Sequence, residues 1–113
     1  MIFGFHEPTV PQVEAEDVKC AMDARESCVL LDVRTPAEYS RGKLLGSINI
    51  PIDTVAATIE TMVPKKSKKI YVYCLSGARS AHAVAAMVKL GYTQVFDMKY
   101  GMLGWRAKYF PVV

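Results

Sequence analysis

The sequence predicts an α/β fold built on a parallel sheet. Three observations carry this expectation. Strand-like apolar runs alternate with stretches of helical periodicity along the whole chain. The run at residues 28–33 is apolar except for Asp32, the pattern of a strand covered on both faces. The chain has 113 residues, of which 51% are hydrophobic and 22% charged, enough for one domain with a proper core.

The elements follow in order. Residues 1–9 form a lead-in that either adds an edge strand or packs over the core. Pro11 limits any strand at residues 9–13 to a short edge piece. Glu14, Glu16 and Asp17 open a helix at residues 14–25, because acidic side chains suit the first helical turn. Val18, Ala21 and Met22 give that helix an apolar face. After the buried strand at 28–33, Thr35 can cap a second helix. Pro36 suits its first position and Glu38 stands three residues after the cap. The turn Arg41-Gly42-Lys43 ends it, and residues 46–51 are extended. Asp53 is then expected to cap a helix that turns Val55, Ile59 and Met62 inward.

Residues 64–69 form a basic turn, read as a solvated loop that guards the next strand, with a docking patch as the alternative. A strand at 70–74 leads through a short loop into a helix at 79–90, which Gly91 terminates as a C′ glycine. A further strand is expected at 92–97 and a last short helix from Tyr100 to Arg106.

Composition narrows the function. The net charge of +3 is a mild excess. No basic face interleaves with stacking aromatics, so nucleic acid is not an expected partner. No apolar run approaches membrane-spanning length, and no membrane partner is expected. The first residues lack the charged and apolar regions of a secretory signal. The three cysteines, Cys20, Cys28 and Cys74, include no Cys-x-x-Cys pair, which argues against a disulfide framework and for a reducing, cytoplasmic setting. His6 and His82 have no spaced partners, so neither a metal site nor another cofactor is expected.

The chemistry concentrates at Cys74-Leu75-Ser76-Gly77-Ala78-Arg79-Ser80. A strand delivers the cysteine into a short loop above a helix N-terminus, where backbone N–H groups and the helix dipole favour negative charge. A thiolate there is stabilised and becomes a usable nucleophile. The loop holds no histidine or carboxylate to act as base, so its amides and helix end must activate the thiol, with Arg79 adding charge and taking an anion-binding or loop-shaping role. Gly77 allows a positive φ that turns N–H groups inward. Ser76 and Ser80 offer hydroxyls, and Ser80 can tie loop to helix. Cys20 and Cys28 lack such a setting and read as structural.

Five landmarks then line up: Asp32-Val33-Arg34 followed by Glu38-Tyr39; Gly46-Ser47-Ile48-Asn49-Ile50-Pro51; Tyr71-Val72-Tyr73-Cys74; Cys74-x-x-Gly77-x-Arg79-Ser80; and Gly101-x-x-Gly104-Trp105. In this order they strongly resemble the rhodanese family, in particular its single-domain sulfurtransferases, over roughly residues 10–107. The resemblance implies one rhodanese domain across residues 1–113, with a central parallel sheet flanked by helices on both faces. It implies that Cys74 takes a sulfane sulfur from thiosulfate or another small anionic or persulfide donor. The sulfur is carried as a persulfide and passed to cyanide, a thiol or a protein. Leu75, Ser76, Gly77, Ala78, Arg79 and Ser80 would form the binding loop. Asp32 and Arg34 would form a structural ion pair, with Glu38 and Tyr39 supporting the second helix. Trp105 reads as core, with Gly104 permitting close approach.

Two features depart from the family pattern. Tyr100 occupies a place that often holds glycine, which predicts a local change in the turn before the last helix. Leu75, Ser76 and Ala78 are neutral where thiosulfate-specialised members tend to be basic. This predicts weak to moderate use of thiosulfate and a preference for low-molecular-weight or protein persulfides. The alternatives are a dual-specificity-phosphatase-like enzyme, an arsenate-reductase-like enzyme, and a rhodanese-like sulfur-carrier or interaction module. Four residues lie between Cys74 and Arg79. The phosphatases have one more, and the tighter ring suits a sulfur atom better than a phosphoryl group. Interaction modules commonly lose the cysteine, which is present here.

Overall fold

The computed structural model describes residues 8–113. The expected lead-in lies outside the described residues except for Pro8 and Thr9, which belong to no helix or strand. The elements are β1 (Gln12–Val13), α1 (Ala15–Asp23), β2 (Val29–Asp32), α2 (Pro36–Ser40), β3 (Ile48–Asn49), α3 (Val55–Met62), β4 (Ile70–Tyr73), α4 (Ala78–Lys89), β5 (Val95–Met98) and α5 (Gly101–Ala107). The strands pair in the order β1-β5-β4-β2-β3, and every pairing is parallel. β1 is short and at the edge, as Pro11 requires.

Side-chain alternation divides the core into two layers, one on each face of the sheet. Leu31, Ile70, Val72 and Val95 pack with Val55 and Ile59 of α3 and Val84 and Met87 of α4. Leu30, Tyr71, Tyr73 and Met98 pack with Val18 and Ala21 of α1 and Met102 and Trp105 of α5. The sheet is therefore flanked by helices on both faces. Full burial of a side chain such as Leu31, Ile70 or Met87 contributes about 1.5–3 kcal/mol.

Local chemistry sets the helix starts. Thr35 and Glu38 form a reciprocal capping box: the Glu38 N–H donates to Thr35 Oγ1 at 3.2 Å, and the Thr35 N–H donates to Glu38 Oε1 at 3.0 Å. At α1 the Glu14 N–H donates to Asp17 Oδ2 at 2.8 Å. Gly91, at φ +99°, follows the last residues of α4 as expected of a C′ glycine.

Three expectations are corrected. No side chain caps α3: the residue before it is Thr54, not Asp53, and the Thr54 hydroxyl turns back to donate to the Pro51 carbonyl. Met62 does not face inward but is 53% exposed; Val63, just after the helix, joins Val55 and Ile59 in the core instead. β5 starts at Val95 instead of 92. Tyr92 is spent on packing, with its hydroxyl donating toward the Ile59 and Val63 carbonyls that end α3. Most of the basic turn is engaged. Lys66 pairs with Glu60, Lys69 pairs with Glu26, and Lys68 donates to Ser27. That leaves less free charge for a docking patch.

Because all strands run parallel, their carboxyl ends share one edge. The order of strand addition reverses between β2 and β4: β3 lies outside β2, whereas β5 lies beyond β4. Such a switch point opens a crevice at the carboxyl ends of an open α/β sheet. Cys74 follows directly from β4 at this place.

Candidate active site

The loop after β4 is clamped from two sides. On one side it runs into α4 through Gly77, whose φ of +120° leads the chain into the first helical turn. A residue with a Cβ would be strained there. On the other side, the N–H groups of Met102 and Leu103 donate to the carbonyls of Cys74 and Leu75 at 2.9 and 3.0 Å. This approach depends on Gly101. Its φ is +50°, and a Cβ there would stand 2.3 Å from the Cys74 carbonyl oxygen. The glycine that permits close approach to the loop is thus Gly101. Gly104 instead lies against the Tyr100 side chain.

Cys74 is almost fully buried, at 1% exposure. Its Sγ accepts the Gly77 N–H at 3.1 Å and the Ser80 N–H at 3.4 Å. The Ser80 hydroxyl lies 3.4 Å from the same sulfur. These groups converge at the N-terminus of the twelve-residue α4, where negative charge is favoured. Gly77 and Ser80 are therefore brought onto the sulfur. Leu75, Ser76 and Ala78 are exposed around it.

Of the two roles expected for Arg79, the geometry agrees with loop shaping. Its guanidinium is not offered to the loop as a free charge but forks onto Glu38, Nη1 to Oε1 at 2.7 Å and Nη2 to Oε2 at 2.9 Å. Arg79 holds the Glu38 carboxyl down to about 2; burial opposes this, and the Thr35 N–H and hydroxyl add to it. Glu38 in turn raises Arg79 more than burial lowers it, with smaller contributions from Cys74 and Asp32. The pair joins the first turn of α4 to α2 and so braces the loop. Glu38 therefore serves two partners, its own helix cap and Arg79.

Asp32 and Arg34 form a buried ion pair. Arg34 Nη2 reaches Asp32 Oδ2 at 2.6 Å and Nε lies 3.0 Å from the same oxygen. Nη2 also donates to the Gly42 carbonyl, and the Arg34 N–H donates to Asp32 Oδ1. The guanidinium lies 5.8 Å from the Tyr73 ring centroid. Burial pushes the Tyr73 hydroxyl well above its ordinary range, and that hydroxyl binds Ser47 and the Leu44 N–H. This network fastens the 42–47 segment to β2 and β4.

One buried carboxylate was missed. Asp97, on β5, is fully buried and accepts the Ser80 hydroxyl at 2.5 Å. Its other oxygen accepts Gln12 Nε2 from β1 at 3.1 Å. The available signal was a charged residue closing an apolar run, the same signal that marked Asp32. A cavity of about 330 Å³ lies beside the loop, lined by Gln12, Ser76, Gly77, Asp97, Lys99 and Tyr100. Tyr100 holds the left-handed conformation at φ +62°, where glycine would sit without strain. The expected local change is thus a tyrosine ring at the cavity wall.

Cys28 precedes β2 and so lies at the opposite edge of the sheet from Cys74. Burial, then Glu26, pushes its thiol up, against Lys68 and Lys69. Cys20 and His82 are exposed on helices.

A family model for the rhodanese-like domain matches residues 14–108. The chain belongs to the rhodanese family. Among its relatives is a sulfurtransferase of Allochromatium vinosum, 28% identical over 104 residues that cover 92% of this chain and 95% of that one. The thiosulfate sulfurtransferase PspE of Escherichia coli is 40% identical over 65 residues, covering 58% of this rhodanese and 62% of PspE. A crystal structure of a rhodanese-related protein from Thermoplasma volcanium superposes with a TM-score of 0.81 at 32% identity, covering 92% of this chain and 98% of that one. These relatives support sulfur transfer as the general activity of this rhodanese.

Proposed function

We propose that the protein is a sulfurtransferase that carries sulfur as a persulfide on Cys74. The observation that carries this reading is the placement of Cys74 Sγ under the Gly77 and Ser80 N–H groups at the start of α4. In the first step the Cys74 thiolate attacks the outer sulfur of the donor. A new S–S bond forms and the donor's S–S bond breaks, releasing sulfite from thiosulfate or a thiolate from an organic persulfide. In the second step an acceptor nucleophile attacks the outer sulfur of the Cys74 persulfide. The Cys74 thiolate leaves, stabilised by the same two N–H groups.

The donor favoured by this site is an organic persulfide. Leu75, Ser76 and Ala78 carry no charge, and the Arg79 guanidinium is neutralised by Glu38. A doubly anionic thiosulfate therefore finds little free positive charge at the mouth. The same pairing disfavours a phosphatase reading, in which an arginine must be free to face phosphate.

The test is intact-protein mass spectrometry after exposure to thiosulfate, glutathione persulfide and a protein persulfide. The expected result is a gain of one sulfur atom on the unaltered chain and none on Cys74→Ser, with glutathione persulfide loading faster than thiosulfate. Loading that persists in Cys74→Ser would overturn the assignment.

A further inference from the structure

We propose that Tyr100 and Lys99 select the sulfur donor, and that the donor they fit is a low-molecular-weight persulfide with a peptide-like body and a carboxylate, of the glutathione persulfide kind. The inference rests on Cys74 being the sulfur carrier. It starts from the placement of Tyr100, which holds the left-handed conformation at φ +62° that is unfavourable for a residue with a Cβ. Core packing does not offset this, since the side chain is 67% exposed. A second position serves the same ring. Gly104, inside α5, leaves room for it, because a Cβ there would stand 2.7 Å from Tyr100 Cβ. A glycine inside a helix is itself unfavourable. Two local penalties thus present one aromatic ring to solvent, and such strain clusters at sites that use it.

The ring stands at the wall of the cavity of about 330 Å³ beside the loop. This volume is of the size that holds small organic ligands, and a bare thiosulfate does not fill it. Cavity and sulfur share Gly77, which lines the one and donates its N–H to the other at 3.1 Å. A Cβ at Gly77 would lie 3.7 Å from the Tyr100 backbone nitrogen. A donor whose outer sulfur reaches Cys74 from this side therefore leaves its carbon body against Tyr100.

The rest of the lining indicates the chemistry of that body. Among the described residues, Gln12, Ser76 and Lys99 supply an amide, a hydroxyl and an ammonium, and Asp97 borders the cavity while fully buried. Amide and hydroxyl suit peptide groups, and the face of the ring suits methylenes and planar amides. The Lys99 N–H donates to the Val13 carbonyl at 3.0 Å, which fixes its backbone, while its Nζ meets Glu14 Oε2 at 3.1 Å. Both side chains of that pair are partly exposed, so the pair is weak and a donor carboxylate can compete with Glu14. A folded protein's persulfide is the poorer occupant, because Cys74 is buried and the cavity admits only a small body.

The test follows sulfur loading of Cys74 by intact-protein mass over a range of donor concentrations, in a Cys20→Ser, Cys28→Ser background. Glutathione persulfide is compared with ethyl persulfide, which lacks the peptide body and its carboxylates, and with a protein persulfide. Tyr100→Gly removes the ring and relieves the backbone, and Tyr100→Phe keeps the ring. Tyr100→Gly should lower the loading rate constant for glutathione persulfide relative to ethyl persulfide by roughly 3–10-fold, through a higher half-saturating concentration, and Tyr100→Phe should preserve the ratio. Lys99→Gln should lower the same ratio by roughly 2–5-fold at low ionic strength, an effect that salt erases. An equal loss for both donors in Tyr100→Gly would make Tyr100 a support of the loop and overturn the proposal, as would no loss at all. A ratio untouched by Lys99→Gln would overturn the carboxylate contact. Greater dependence on Tyr100 for the protein persulfide than for glutathione persulfide would overturn the choice of donor. An unaltered chain that gains sulfur from none of the donors would instead sink the sulfur-carrier reading itself.

Discussion

Gly101→Ala should damage the loop far more than a glycine substitution of similar backbone strain elsewhere. The added Cβ would lie 2.3 Å from the Cys74 carbonyl oxygen and 2.7 Å from the carbonyl carbon and oxygen of Leu75. These are backbone atoms and cannot swing aside. The left-handed conformation itself costs an alanine about 1–2 kcal/mol. Moving α5 away from the loop also weakens the Met102 and Leu103 hydrogen bonds, each worth about 0.5–1.5 kcal/mol. The sum is about 2–5 kcal/mol. Gly46→Ala supplies the comparison. Its φ is +80° and nothing stands within 4 Å of the new Cβ, so only the conformational cost of about 1–2 kcal/mol applies. Urea unfolding of both variants measures the difference, and mass spectrometry measures sulfur loading per folded molecule. Gly101→Ala should be the less stable by at least ~1 kcal/mol and should load sulfur more slowly, while Gly46→Ala loads normally. Equal stabilities with unchanged loading in both would refute the claim that α5 holds the loop in shape.

Three further outcomes are expected. Glu38 has its carboxyl lowered from 4.5 to about 2 in the fold, so the pair with Arg79 stabilises fully above pH 4.5 and is lost as pH falls toward 2. The shift at face value is about 3 kcal/mol, and solvent screening of the one-third-exposed guanidinium reduces it to ~1 kcal/mol. Stability curves of the unaltered chain and Glu38→Gln should converge across that window, and parallel curves would contradict the pairing. Arg34→Ala, which strands the buried Asp32 charge, should cost about 3–5 kcal/mol in urea unfolding yet leave sulfur loading per folded molecule intact. Selective loss of loading at full stability would instead give Arg34 a direct role at the sulfur. Leu75→Lys places a free cation at the mouth and should raise kcat/KM for thiosulfate by roughly 3–10-fold at low ionic strength, the gain shrinking as salt screens it. A gain that is absent or independent of salt would show that charge does not limit thiosulfate use.

Much of this protein could be read from local sequence, because the interactions concerned are local. The Thr35–Glu38 capping box spans three residues, and both bonds follow from helix geometry. Cys74, Gly77 and Ser80 reach one point because a strand end, a turn and a helix start are contiguous. Their spacing alone therefore carried the placement of the cysteine beneath backbone N–H donors. The apolar run at 28–33 announced a strand covered on both faces, and its period-2 division into Leu30 and Leu31 layers followed.

Tertiary structure decided what depends on which strands become neighbours. Asp97 reaches Ser80 only because β5 pairs with β4, and Gln12 reaches Asp97 only because β1 closes that side of the sheet. Glu38 meets Arg79 across 41 residues, a pairing that selects loop shaping over anion contact for this arginine. Gly101 lets α5 fold back onto the carbonyls of Cys74 and Leu75. By itself the sequence determined the cysteine loop at a helix N-terminus and the layered α/β frame, since hydrophobic period and helix capping act within a few residues. Only the fold determined the surroundings of the sulfur, since strand order and helix docking bring together groups whose separation along the chain leaves no local mark.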